Sequence, residues 1–350
     1  MYQQSDATPH AHSDLCILSV DAFIRNIRAY NKMIEHTLTL YGAEAGGGKP
    51  RPAMVGPLLT MLEPTVRDNL RLAFFSSSRI KGRPYKSLQK AWEIRLAGMR
   101  GGPEDSTELI FELPLLGEAA PQFFEQLELW DDAPKPEETA LDILGYTLSD
   151  IASGRESSNR FDLPLLGRFH SLNRILKKGL SRVTFGGHHL SNGRAVPPIE
   201  QPFVDIVDRM MHDTPAPRRI RVHGTLDMVR CSDRVFEVVT MGGERLRAAW
   251  IPTNLAPLRE YLNHAVLIEG EAMFRPAGTA LRVDADAIRP AQAGDEFFSK
   301  LPQPATNAAR ALKNAPVDPR TRNGFESIAG AWPGDETIGE LLETLAELGR

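Results

Sequence analysis

The chain has 350 residues, 42% hydrophobic and 25% charged, with a formal net charge of −4. That is the balance of a soluble globular protein with room for two domains, and it argues against a general nucleic-acid coat. No apolar run approaches the ~18–20 residues that span a bilayer. The start, Met1-Tyr-Gln-Gln-Ser-Asp, lacks the basic residues and apolar core of a signal peptide, so the expected compartment is the cytoplasm, with no membrane partner. The only cysteines, Cys16 and Cys231, are far apart and have no CxxC companion, which excludes a disulfide framework or a zinc knuckle.

Residues 1–15 are polar and read as a flexible N-terminus, followed by a mixed, helix-rich domain over 16–198. Within 19–41 the residues Phe23, Ile27, Tyr30 and Ile34 recur at helical spacing and Gly42 offers a stop, so the pattern predicts a long first helix. The glycine-rich 42–52 segment is a connection, not a phosphate loop. Its glycine-to-Gly-Lys spacing is wrong and Pro50 stands where a Ser or Thr is needed.

Charge is blocked along this domain. Residues 79–100 carry seven Lys/Arg against Glu93 alone, and 155–194 carry eight against Glu156 and Asp162. Between them, 104–150 holds thirteen acids against Lys135. Basic and acidic elements that face each other or solvent account for this, and a basic nucleic-acid groove is the other reading.

An internal echo links Phe111-Glu-Leu-Pro-Leu-Leu-Gly117 with Phe161-Asp-Leu-Pro-Leu-Leu-Gly167, fifty residues apart. In both copies the apolar run meets a proline, which demotes it to an edge strand or an extended lead into the helices expected over 121–129 and 168–180. Two copies without flanking similarity read as duplicated packing elements, not an array. His188-His189 is the best metal candidate by composition. Adjacent residues on a strand point to opposite faces, so the pair is assigned no metal.

From residue 199 the pattern changes to strands. Ile220, Val222, Leu226 and Met228 alternate with polar residues, and Gly224 marks a sharp bend. Residues 235–240 and 244–251 flank Met241-Gly242-Gly243 as a hairpin, 254–262 reads as a short helix, and 264–274 with 279–287 form a second hairpin. Three strands, a helix and two strands is the order of an OB-like five-stranded β-barrel, placed here at 199–290. Its candidate nucleic-acid contacts are Arg221, Arg245 and Arg247 for phosphate, and Trp250 and Phe274 for base stacking, though both aromatics suit a core equally well.

Residues 291–324 are rich in Ala, Pro, Asn and Arg and suit a linker. The tail, 325–350, closes the chain with Ile338, Leu341, Leu342, Leu345 and Leu348 on one helical face, Glu336, Glu340, Glu343 and Glu347 elsewhere, and Thr337 with Glu340 as a capping box. Phe325, Ile328 and Trp332 precede the cap among glycines and Pro333. The same periodicity also suits a helix packed on its own domain.

The run Ile328-Ala-Gly-Ala-Trp-Pro-Gly-Asp-Glu-Thr337, leading into an acidic leucine helix, resembles the C-terminal toxin-binding tail of VapB-type antitoxins, the partners of PIN-domain ribonucleases. The resemblance covers residues 325–348. It implies that Phe325, Ile328, Trp332, Leu341, Leu342 and Leu345 fill a groove on a toxin, and that Arg320 or Arg322 reaches toward the toxin's acidic metal site. Such antitoxins are short, whereas this chain places more than three hundred residues before the tail.

The expectation is therefore an α+β protein: a mixed N-terminal domain, an OB-like barrel and a C-terminal amphipathic helix. No nucleophile frame, metal motif or cofactor signature is present, so no catalytic residue and no cofactor is assigned. The expected function is neutralisation of a protein toxin, with single-stranded nucleic-acid binding by the barrel as the alternative.

Overall fold

The computed structural model describes residues 33–79, 86–124, 133–187, 196–231 and 234–300. All belong to one compact unit, Met1–Asn307; the rest of the chain, Ala308–Arg350, is divided from it and lies outside the described residues. The described body is α+β, combining an antiparallel sheet, several helices and a closed barrel. Among the described residues no helix is long and apolar enough to cross a membrane.

The sheet contains β1 (Met33–Tyr41), β2 (Arg95–Gly101), β3 (Thr107–Pro114) and β4 (Arg182–Gly187) in the order β2-β3-β1-β4. Its inner face carries Leu38 and Leu40 of β1 with Leu109, Phe111 and Leu113 of β3. Against it pack α1 (Pro52–Phe75), α2 (Ala140–Ala152), α3 (Leu163–His170) and α4 (Gln201–Asp213). They contribute Leu58, Val66 and Leu70, then Leu144 and Leu148, then Leu165 and Phe169, then Val204 and Val207. Each such side chain contributes roughly 1.5–3 kcal/mol by leaving water, so this core carries the helical layer. Helix α4 belongs to this core, and the barrel begins after it at Arg218.

The strand at Met33–Tyr41 corrects the long first helix expected over 19–41, of which residues 19–32 lie outside the described residues. Ile34 fits both periods. From there on Ile34, His36, Leu38 and Leu40 are all buried, a period of two that three threonine and isoleucine side chains favour over helix. His36 holds an inward position because its Nε2 meets the Thr139 hydroxyl at 2.9 Å.

The two halves of the echo form different structures. Phe111 to Pro114 ends β3, an interior strand and not the edge expected, with the proline at its last position; a one-turn helix, Leu116–Ala119, follows. In the second copy Asp162 caps α3, accepting from the Leu165 N–H at 3.1 Å, and Pro164 sits in the first turn where its missing donor is harmless. Aspartate is a strong cap and glutamate is not, so the second copy carries the better helix start. The helix expected at 121–129 is a single 3-10 turn, Pro121–Phe123, within the described residues, and that expected at 168–180 is the end of α3 plus a short turn at Asn173–Leu176.

The barrel comprises β5 (Arg218–Arg230), β6 (Val235–Val239), β7 (Arg245–Trp250), β8 (Ala265–Phe274) and β9 (Ala280–Pro290). The order is β5-β6-β7-β9-β8, closed by β8 against β5. Only β7 and β9 run parallel. Both expected hairpins form, and helix α5 (Ala256–Glu260) falls between the third and fourth strands, sending Leu258 into the barrel core beside Val222, Phe236, Val266 and Val283. Gly224 is where a side chain could not exist: a Cβ there would lie 2.5 Å from the Val239 carbonyl oxygen.

Asp162 also accepts from the Ser78 backbone at 3.0 Å and from the Ser78 hydroxyl, tying the end of α1 to the start of α3. We predict that Asp162→Ala costs roughly 2–4 kcal/mol, the sum of a lost cap and buried donors left without an acceptor. Urea unfolding would read this as a lower midpoint at unchanged slope, and a loss below ~0.5 kcal/mol would show that these bonds contribute little.

Candidate functional site

The tail residues Phe325, Ile328, Trp332, Leu341, Leu342 and Leu345, together with Arg320 and Arg322, lie outside the described residues, as do His188 and His189. The described candidate residues all lie on the barrel, which is seated on the helical layer.

The alternation that forms the strands places arginines outward and apolar residues inward. Arg221 is exposed, with Nε 3.0 Å from Glu269, and lies over the Phe298 ring. Arg219, beside it, grips Asp286 with two hydrogen bonds of 2.7 and 2.9 Å, and that bond is the main cause of its raised pKa. Arg245 bonds Glu237 and, at 3.2 Å, Asp227; its pKa too is raised, first by the hydrogen bond to Glu237. Arg247 stands directly across the ladder from Glu237 and lines a small cleft with Asn69, Thr147, Asn159 and Arg160. The two aromatics are core residues. Trp250 is buried and donates Nε1–H to the Asn254 carbonyl at 2.6 Å, and Phe274 is buried in the barrel. A base could stack on neither without opening the barrel.

The β5–β6 and β8–β9 ends of the barrel rest on the helical layer. Arg230 donates to the Phe74 carbonyl at 3.0 Å, and Arg282, buried, donates to the Ser76 carbonyl while its Nε holds Asp284 at 2.8 Å. In the β8–β9 turn the Ala277 N–H reaches the Glu156 carbonyl and Arg275 reaches the Asn159 side chain. Ser76 is in the left-handed conformation at the end of α1, so Arg230 and Arg282 supply donors and positive charge where a helix C-terminus leaves carbonyls unpaired.

One array has the composition of a nucleophile site. His36 meets Thr139, whose hydroxyl donates to Asp142 at 2.8 Å. All three are buried, and Thr139 with Asp142 forms the capping box of α2, so the hydroxyl is engaged in starting a helix and no substrate can reach it. Among the described residues no group of three or more His, Cys, Asp or Glu is arranged to hold a metal.

No protein-family model, no curated protein and no solved structure matches this chain.

Because Arg282 is buried between Ser76 and Asp284, Arg282→Met should cost roughly 2–4 kcal/mol by leaving both acceptors unpaired. We expect a lower midpoint in thermal unfolding. An unchanged midpoint would mean that the barrel is seated by apolar packing alone.

Proposed function

We propose that this chain neutralises a protein toxin, a PIN-domain ribonuclease by the resemblance of its tail, through residues 325–350. The observation that carries the proposal is the sequence of that tail: an aromatic and glycine-rich lead, a capping box, and a leucine face over an acidic helix. In this mechanism Trp332 and the face formed by Leu341, Leu342 and Leu345 bury in the toxin's groove, while Arg320 or Arg322 competes with catalytic metal for acidic residues. The setting would be the cytoplasm, and the large N-terminal body would fold independently of the docking step.

The rival reading uses the barrel, which we take to be OB-like from its strand order, its single parallel pair and the helix between its third and fourth strands. OB-folds bind oligonucleotides with their second and third strands and with the loops after the first and fourth. Here the end of β5 and the β8–β9 turn rest on the helical layer, Trp250 and Phe274 are buried, and Arg221 and Arg245 already have acidic partners. These observations favour the barrel as a scaffold.

Central aromatic anchors commonly cost ~2 kcal/mol or more on truncation. We therefore expect Trp332→Ala combined with Leu342→Ala to abolish rescue from the partner toxin on co-expression with the adjacent gene product, while the circular dichroism spectrum of the body is unchanged. Full rescue by a chain ending at Asn323 would refute the proposal. If the barrel instead binds single strands through Arg221, Arg245 and Arg247, affinity should fall steeply with salt and Arg245→Ala should flatten that slope.

A further inference from the structure

On the outward side of the helical layer three arginines converge on one carboxylate. Asp68 of α1 is buried, its side chain 6% exposed. Arg67 Nε lies 2.9 Å from its Oδ1, Arg71 Nη1 lies 3.8 Å from the same oxygen, and Arg168 Nε of α3 bonds its Oδ2. Arg71 is held further by Trp92, whose ring centroid is 5.4 Å from its guanidinium carbon. Burial first, then the charge of Arg67, lowers the Arg71 pKa.

Three guanidinium groups on one carboxylate leave a local charge of +2. Arg67 and Arg168 each spend the inner Nε on Asp68. Among the described residues neither has another side-chain partner, although their side chains are 33% and 32% exposed. The outer forks of both, set on different helices, are therefore available as donors. Glu63, one turn from Arg67, forms no ion pair among the described residues, and the nearby His170 and Asp208 are paired with each other. Asp68 holds Arg67 and Arg71 of α1 and Arg168 of α3 in one ion-paired cluster.

We propose that the Arg67–Arg71–Arg168 cluster is a binding site for a phosphoryl group, taken either as free phosphate or on a nucleoside monophosphate. A phosphate monoester carries about −1.5 to −2 charge at neutral pH and several acceptor oxygens, which matches the surplus charge and the paired forks. A dicarboxylate such as malonate carries comparable charge but spreads it over two planar groups, so it does not offer several oxygens around one centre. Arginine suits this role because its planar fork binds phosphate in a bidentate way. The proposal does not rest on the toxin-neutralising reading.

The test is isothermal titration of the full chain with inorganic phosphate, with a nucleoside monophosphate and with malonate at matched ionic strength. Saturable binding of the phosphate compounds is expected, with malonate weaker by ~10-fold or more. Tighter binding of the nucleoside monophosphate than of phosphate would assign the group to a nucleotide, and equal or weaker binding would assign it to free phosphate. Arg67→Gln, which removes no link between helices, should weaken phosphate by ~10-fold at unchanged melting temperature. Should Arg168→Gln unfold the α1–α3 contact, Arg67→Gln alone keeps the test alive. No heat with either phosphate compound, equal binding of malonate, or unchanged affinity in Arg67→Gln would each overturn the proposal.

Discussion

The described body depends on how helix α1 ends. Its last turn leaves carbonyls with no partner inside the helix, and two of the donors that reach this end, Arg230 and Arg282, belong to the barrel. Ser78, two residues beyond the left-handed Ser76, gives both of its donors to Asp162 and so fixes the start of α3. One helix terminus thus orients a second helix and a barrel. The geometry uses arginine where lysine would not serve, because Arg282 must reach Ser76 and Asp284 with different nitrogens of one planar group.

The barrel was legible in the sequence because its signals are local. Alternation by twos, Met241-Gly242-Gly243 and Arg275-Pro-Ala-Gly278 each act within a few residues, and the register Val239–Arg245 follows from the turn. The helical layer was harder to read. Pro57 and Pro64 lie inside α1, and a proline within a helical pattern normally ends it; here burial of Leu58, Leu62, Val66 and Leu70 outweighs two lost backbone bonds. Helix α4 buries Phe203, Val204, Val207 and Met210 at helical spacing, at odds with the change to strands expected from residue 199. The Arg67–Arg71–Arg168 cluster could not be found from spacing, since Arg168 lies a hundred residues from Asp68, through which it joins the other two.

Packing also explains part of the charge blocking. Acids of the 104–150 stretch meet bases from both flanking stretches: Glu108 with Arg100, Glu104 with Arg182, and Asp150 with Arg155 and Arg160. Most of these bases are substantially exposed, so each pair stabilises by little, about 0–1 kcal/mol. They add to register as well, because a slipped β2 would draw Arg95 and Arg100 away from Glu112 and Glu108, the acids that face them.

The barrel closes through a short seam. The parallel contact between β7 and β9 runs only from Ala248–Val283 to Trp250–Ala285, whereas β5 and β8 pair from Arg218–Ala272 to Thr225–Ala265. Parallel ladders are also slightly weaker per residue. Val283 in that seam sits between Arg282 and Asp284, the pair clamped to Ser76. Fraying of the last turn of α1 would therefore unzip the barrel at its thinnest join, and the two hydrophobic cores, though separate in composition, would lose their protection against hydrogen exchange together.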